Sequence, residues 1–420
     1  MNGNCYIKKL FKMKLINIEK LTKLSFISLG LIPLLKENVN SICIIICVVF
    51  TILSSIKEKE KKKISKEVLI LTTPFWMFFL HEMFTLDFNF DRVLRYLPFL
   101  VFPLLFFYKP NYIDEKIKKS SVRVFQISTF LQSIFYLLFF LNSHSFNLLF
   151  QVRNNIPVFR EFVSENYFFE IHPTYFSSFL LVSFTFSVVA LITKRKKIKG
   201  LDFLNTLICL FFIFLFSSKI IFLIVLLTVS TIIVAVILRK SFKQAMLFFV
   251  GAVLLIATLT YPLRNVIGDR FKELKTEINK PIVGDYYNST NTRIAIIRCS
   301  LKLLDQVPFF GFGDHLQHNL NKCYKETNDS NFYLKQTFNT HNYYLNLILY
   351  GGYLFGALFI LYLIFTFFRI NYSLLTVVIF IQLILINFTE NYFSRHYGIV
   401  LFTYLVSMFI FIKEKCLNSN

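Results

Sequence analysis

What this chain of 420 residues lacks narrows it first. It has no extended polar segment that reads as a soluble domain, although a water-soluble protein of this length would split into domains with polar surfaces. No His, Cys, Asp or Glu residues fall at the spacings of a metal site. No internal repeat is visible, so the paired broken helices of a secondary transporter are missing. No cleavable signal peptide is expected, because the first apolar stretch runs on into further spans without a small-residue cleavage site. Acidic residues are few, 24 against 46 Lys and Arg, for a net charge of +22. Yet no basic domain or recognition motif accompanies the excess, which excludes nucleic acid as a partner.

What is present is apolar sequence: 55% of residues are hydrophobic, in runs that recur from end to end. A spanning helix needs roughly 20 mostly apolar residues. The pattern predicts an all-α, polytopic integral membrane protein of about twelve spans, near 20–35, 39–56, 68–85, 92–107, 121–141, 174–193, 201–217, 219–238, 245–261, 341–368, 372–388 and 396–412. It reads as a single membrane domain over 1–420. Helices fill 1–261 and 341–420, and a large periplasmic loop occupies 262–340, between helices nine and ten. With both termini in the cytoplasm, 28 of the 46 basic residues lie in or beside inner loops and 7 in the short outer loops. The positive-inside rule favours that orientation, in a bacterial inner membrane. The basic clusters then need no partner beyond anionic membrane lipid.

This orientation puts all seven histidines on or near the outer face, with Glu82, Asp87, Asp91, Arg92, Arg95, Lys219, Arg264, Glu390 and Arg395. The middle of the spans is nearly free of charge. Ionisable groups in a bilayer usually mark function, and here they line one boundary, which suits a site at the outer water–lipid interface. Glu82, Asp87 and Asp91 read either as a base or, as the favoured reading, as ion-pair partners for Arg92 and Arg95. In the large loop, 292–306 repeats apolar residues at Ile294, Ile297, Leu301 and Leu304 with Arg293, Arg298 and Lys302 off the stripe, the pattern of a basic amphipathic helix. Pro308 to Gly313 follow as a turn, served by Gly311 and Gly313. Gly351 and Gly352 suit close helix packing. Cys299 and Cys323 share this loop and can pair if it faces an oxidising periplasm. Cys43, Cys47 and Cys209 sit in spans as packing residues.

NTRIAIIRCSLKLLDQVPFFGFG followed by THNYYLNLILYGG resembles the signature of the O-antigen ligase and O-antigen polymerase superfamily. Ser217-Ser218-Lys219 and its apolar run, and FTENYFSRHYGIVLF from Phe388, are similar to two further patterns of that family. The resemblance covers roughly the second half of the chain. It implies a metal-independent membrane glycosyltransferase with no cofactor, acting on undecaprenyl-diphosphate-linked glycans. The acceptor would be lipid A-core for a ligase and another repeat unit for a polymerase. Carried over by motif, Arg293 would contact the diphosphate, and His341 would orient or deprotonate the acceptor. Lys219 stands where the family has arginine, keeping the charge but losing the planar fork. Arg298 and Arg264 are further candidates for the diphosphate. Two more positions have double readings: His172 either positions substrate or caps a span ahead of Pro173, and Glu390 is an alternative base.

Overall fold

A computed structural model describes residues 18–58, 62–84, 88–153, 156–165, 171–193, 199–239, 289–328 and 338–412, with scattered positions between 246 and 275. Nearly all of it is helical. Five of the described helices are long and apolar enough to cross a membrane: Glu37–Glu58, Glu115–Ser143, Pro173–Thr193, Lys219–Leu238 and Tyr343–Arg369. Three shorter apolar helices accompany them, Gly200–Phe216, Leu374–Ile386 and His396–Phe411.

Several expected spans differ in detail. The first is helical over 18–28 and then tightens into a 3-10 segment, Leu29–Leu34, around Pro33. The third divides into α3 (Lys66–Leu71) and α4 (Thr73–Phe84), and the fourth into α5 (Phe90–Tyr96) and α6 (Pro98–Phe107). Proline explains both breaks, because Pro74 and Pro98 lack the N–H that would continue the helical ladder and sit comfortably only in a first turn. The ninth expected span, 245–261, the loop residues 276–288 and 329–337, and both termini lie largely or wholly outside the described residues. Asp87 does as well.

Burial separates the bundle's centre from its rim. In α9 (Pro173–Thr193), 78% of the membrane-length window is buried, against 28% in α2 (Glu37–Glu58). From Tyr397 to Ile410, α16 (His396–Phe411) is buried throughout. These two helices form the axis. Small residues on α9, including Ser177, Ser178, Ser183 and Ser187, let neighbours approach closely, and all four are fully buried. Their hydroxyls, and those of nearby threonines, also accept from the NH2 groups of buried amides. Asn205 on α10 (Lys199–Phe216) donates to Ser183 Oγ at 3.0 Å and Ser187 Oγ at 2.8 Å. Gln382 on α15 (Leu374–Ile386) donates to Thr185 at 2.7 Å and Thr228 at 2.8 Å. In an environment without water, such pairing is what makes buried amides tolerable.

The large loop contributes α12 (Ser289–Leu304) and α13 (Leu316–Asn328). A disulfide between Cys299 and Cys323 ties them together. The buried face of α12 is not the expected stripe. Ala295, Ile296, Cys299, Ser300 and Leu303 point inward, while Ile297 and Leu301 are exposed. The disulfide fixes which face turns inward, and burial of Asn291 and Thr292 follows on the same side.

The Pro308–Gly313 turn docks on a break in α14 (Tyr343–Arg369). Gly352 has φ +87°, and a side chain there would lie 2.0 Å from the Phe309 carbonyl oxygen. Gly311, at φ +71°, meets the Tyr350 carbonyl as closely. The break exposes the Leu349 carbonyl, which accepts from the Phe312 N–H at 2.8 Å. So Gly352 serves this docking of backbone on backbone, not the close helix packing expected of it, and Gly311 does more than form a turn.

Candidate functional site

One end of the bundle holds a cluster of arginine, histidine and carboxylate side chains. Between α15 and α16, residues 387–395 form a short loop held from within. The Asn387 carbonyl accepts from the Tyr343 N–H at 2.9 Å, and its side chain accepts from the Phe393 N–H at 3.1 Å. This connection lashes the loop to the start of α14 and presents Glu390, which is only 9% exposed.

Glu390 is the hub. One carboxylate oxygen accepts from Arg293 Nη2 at 2.8 Å. The other faces His341 Nδ1 at 3.5 Å, within reach of charge attraction but too long for a good hydrogen bond. Burial alone would favour the protonated acid. The His341 ring facing it, followed by the charges of Arg293 and His172, outweighs that and holds the carboxyl below its ordinary range. The group is therefore an anion clamped between a guanidinium and an imidazole.

His341 carries backbone strain, with φ +44°. That region is sparsely used by residues with a side chain, and such outliers cluster at functional sites. Its neighbours enforce it. The His341 N–H donates to Asn339 Oδ1 at 2.9 Å. The buried Thr340 hydroxyl reaches the Asn342 carbonyl at 2.9 Å and Asn391 Oδ1 at 3.1 Å. Asn342 then caps α14 by accepting from the Leu345 N–H at 3.0 Å. The ring itself stays partly open to solvent.

Of the residues singled out in the sequence, the structure brings Arg293, His341 and Glu390 together, with His172 close enough for their charges to be felt. The surroundings of His172 disfavour its charged form, first through desolvation and then through Arg160, so its pKa is pushed down. Its Nδ1 also accepts from the Thr174 N–H at 3.3 Å, which is the capping role ahead of Pro173. Lys219 opens α11 (Lys219–Arg239) just after Ser217, the second non-glycine residue with positive φ, +43°. Arg160 steadies that turn by donating to the Phe216 carbonyl at 2.9 Å. Arg298 and Arg264 are not brought to Glu390. Arg298 is exposed, on a different face of α12 from the inward one. Arg264 lies over the Tyr261 ring at 5.1 Å.

A second polar cluster centres on Arg92. Arg92 pairs with Glu82 at 2.8 Å, as expected, but also with Asp314 from the distant loop and with the Tyr350 hydroxyl at 2.6 Å. Asp314 follows Gly313 directly, so docking of the glycine turn is what delivers it. Nothing in the sequence spacing pairs 92 with 314.

These features define a polytopic helical membrane protein with an arginine–carboxylate–histidine centre at one end. Residues 204–361 match the family model for O-antigen ligase. That segment is less than half of the chain, and the match supports the resemblance to the O-antigen ligase superfamily that the motifs carry. Such a domain belongs to membrane enzymes that transfer glycosyl groups from lipid-linked glycans. No curated protein matches the chain. Lys219, Arg293 and His341 fall inside the matched segment, and Glu390 lies beyond it.

Proposed function

We propose that this protein transfers a glycan from undecaprenyl diphosphate to an acceptor hydroxyl at the periplasmic face, with lipid A-core as the acceptor. The observation that carries this reading is Glu390 bridging Arg293 and His341. With its Nδ1 side turned toward Glu390, His341 leaves Nε2 for the acceptor. The acceptor oxygen attacks the anomeric carbon and its proton passes to Nε2. The bond from that carbon to the diphosphate oxygen breaks, and the lipid diphosphate leaves with the electron pair. Glu390 orients the ring and stabilises the imidazolium as it forms, a use of a buried carboxylate that needs it ionised. The 3.5 Å separation is expected to shorten once substrate is bound.

Arg293 and Lys219 would stabilise the charge that develops on the leaving diphosphate, the electrostatic contribution that usually dominates such sites. Helices α9, α11, α14 and α16 all begin at this end, so their partial positive termini add to it. An apolar groove of about 630 Å³ runs between α14 and α15. Phe388 and Tyr344 line it, and the Asn342 amide donates to the Phe388 carbonyl at 3.2 Å, so the groove lies next to His341 and suits a polyprenyl chain.

The test is the lipopolysaccharide banding pattern of a strain lacking the gene. Lipid A-core bare of repeat units, restored by wild type and not by His341→Ala, is the ligase result. Core bearing a single repeat would instead make the protein a polymerase. An unchanged ladder would remove O-antigen as the substrate.

A further inference from the structure

A polar cavity of about 290 Å³ adjoins the centre, large enough for a sugar residue but not for a long glycan. It shares walls with the site. Asn339, which holds the strained His341 N–H, lines it, and so does Asn391, the neighbour of Glu390. Asn346 and Asn391 present amides that can both donate to and accept from sugar hydroxyls.

Three arginines complete the lining, Arg92, Arg95 and Arg395. Arg92 is already neutralised by Glu82 and Asp314. Among the described residues, Arg95 and Arg395 form no ion pair with a carboxylate, and Arg395 is occupied only through its contact with Tyr175. Asp314 is the one acid in the lining, and Arg92 holds it. The cavity thus offers two unneutralised guanidiniums beside hydroxyl-matching amides. A neutral sugar would leave both charges unanswered.

We propose that this cavity is the acceptor subsite and that it selects a sugar carrying an anionic group, a carboxylate or a phosphate, gripped by Arg95 and Arg395 while the asparagines align the ring toward His341. The acceptor role rests on the glycosyl-transfer reading. The anion-selective cavity does not.

Binding can be read without turnover. The purified full chain in nanodiscs is titrated with methyl β-glucuronide, glucose 6-phosphate and methyl β-glucoside by saturation-transfer NMR. The anionic probes are expected to bind about two- to fivefold more tightly than the neutral one, as suits partly exposed charge pairs, with the gap closing at high salt. A stronger response to the uronide would mark a carboxylate as the natural group, and a stronger response to the phosphate a phosphorylated sugar. Arg95→Gln should erase the preference while Arg395→Lys, which keeps the charge and most of the fold contacts, should retain part of it. Arg293→Gln and His341→Ala should leave it intact. Equal binding of all three probes would overturn the proposal, as would a preference lost in Arg293→Gln but kept in Arg95→Gln. Selective binding by a protein that performs no transfer would instead sink the acceptor role and leave the cavity's selectivity standing.

Discussion

His341 combines a strained backbone with a ring aimed at a buried carboxylate, and the two can be separated experimentally. Asparagine tolerates positive φ better than most residues with a side chain. His341→Asn should therefore fold and insert normally yet lose transfer by about 10²-fold or more, the usual worth of a general base. Glu390→Gln keeps the shape and the contact to Arg293 but removes the anion, and transfer should fall by a comparable factor. The pH dependence follows the same carboxylate. Its folded pKa lies below its ordinary value of 4.5. Its contribution to stability is therefore complete above that value and is lost as pH falls through the lower, folded pKa. Wild-type unfolding should show this acid limb, and in Glu390→Gln the limb should be smaller, with the remainder left to other carboxylates held below their ordinary range in the same direction. At this scale the sequence singled out Arg293 and His341 by motif, whereas Glu390 ranked only as an alternative. Its importance comes from a contact across 97 positions of chain, which no local spacing reveals.

The helices and turns show where sequence reading succeeds and where it stops. Long apolar runs such as Glu37–Glu58 and Pro173–Thr193 are legible because their hydrophobic length matches the bilayer. The splits at Pro74 and Pro98 follow from local chemistry. The inward face of α12 was not legible, because Ile297 and Leu301 are as apolar as the residues that are buried, and the Cys299–Cys323 link decides between faces. Two predictions belong here. Gly352→Ala should lower stability by roughly 1–3 kcal/mol for its backbone conformation alone. The overlap with the Phe309 carbonyl adds to that, and thermal unfolding in detergent reads the sum. Replacing Cys299 and Cys323 by serine should cost about 2–4 kcal/mol. The same loss should appear in wild type treated with a membrane-permeant reductant, and no such change should follow in the double variant.

For the whole molecule, the sequence places the histidines with selected acids and arginines at the outer boundary and most lysines at the inner one, and the structure groups Glu82, Arg92, Asp314, Arg293, His341 and Glu390 at one end of the bundle while Arg123 pairs with Asp202 and Arg369 with Glu67 elsewhere. That this end faces the periplasm is tested by labelling. In a background whose free cysteines are replaced by serine, Ser143→Cys should react with an impermeant maleimide in intact cells, and Lys63→Cys only after permeabilisation. The reverse pattern would invert the topology and move the proposed chemistry to the cytoplasm.

The most direct measurement is transfer itself, by the purified chain reconstituted with polyprenyl-diphosphate-linked glycan and lipid A-core. The account predicts one lipid diphosphate released for each glycan joined to the acceptor, in wild type, and near-complete loss in both His341→Ala and Glu390→Gln proteins that still insert and unfold cooperatively. Transfer at the wild-type rate by both variants would contradict it, as would movement of the intact lipid-linked glycan across the vesicle bilayer with no new glycosidic bond.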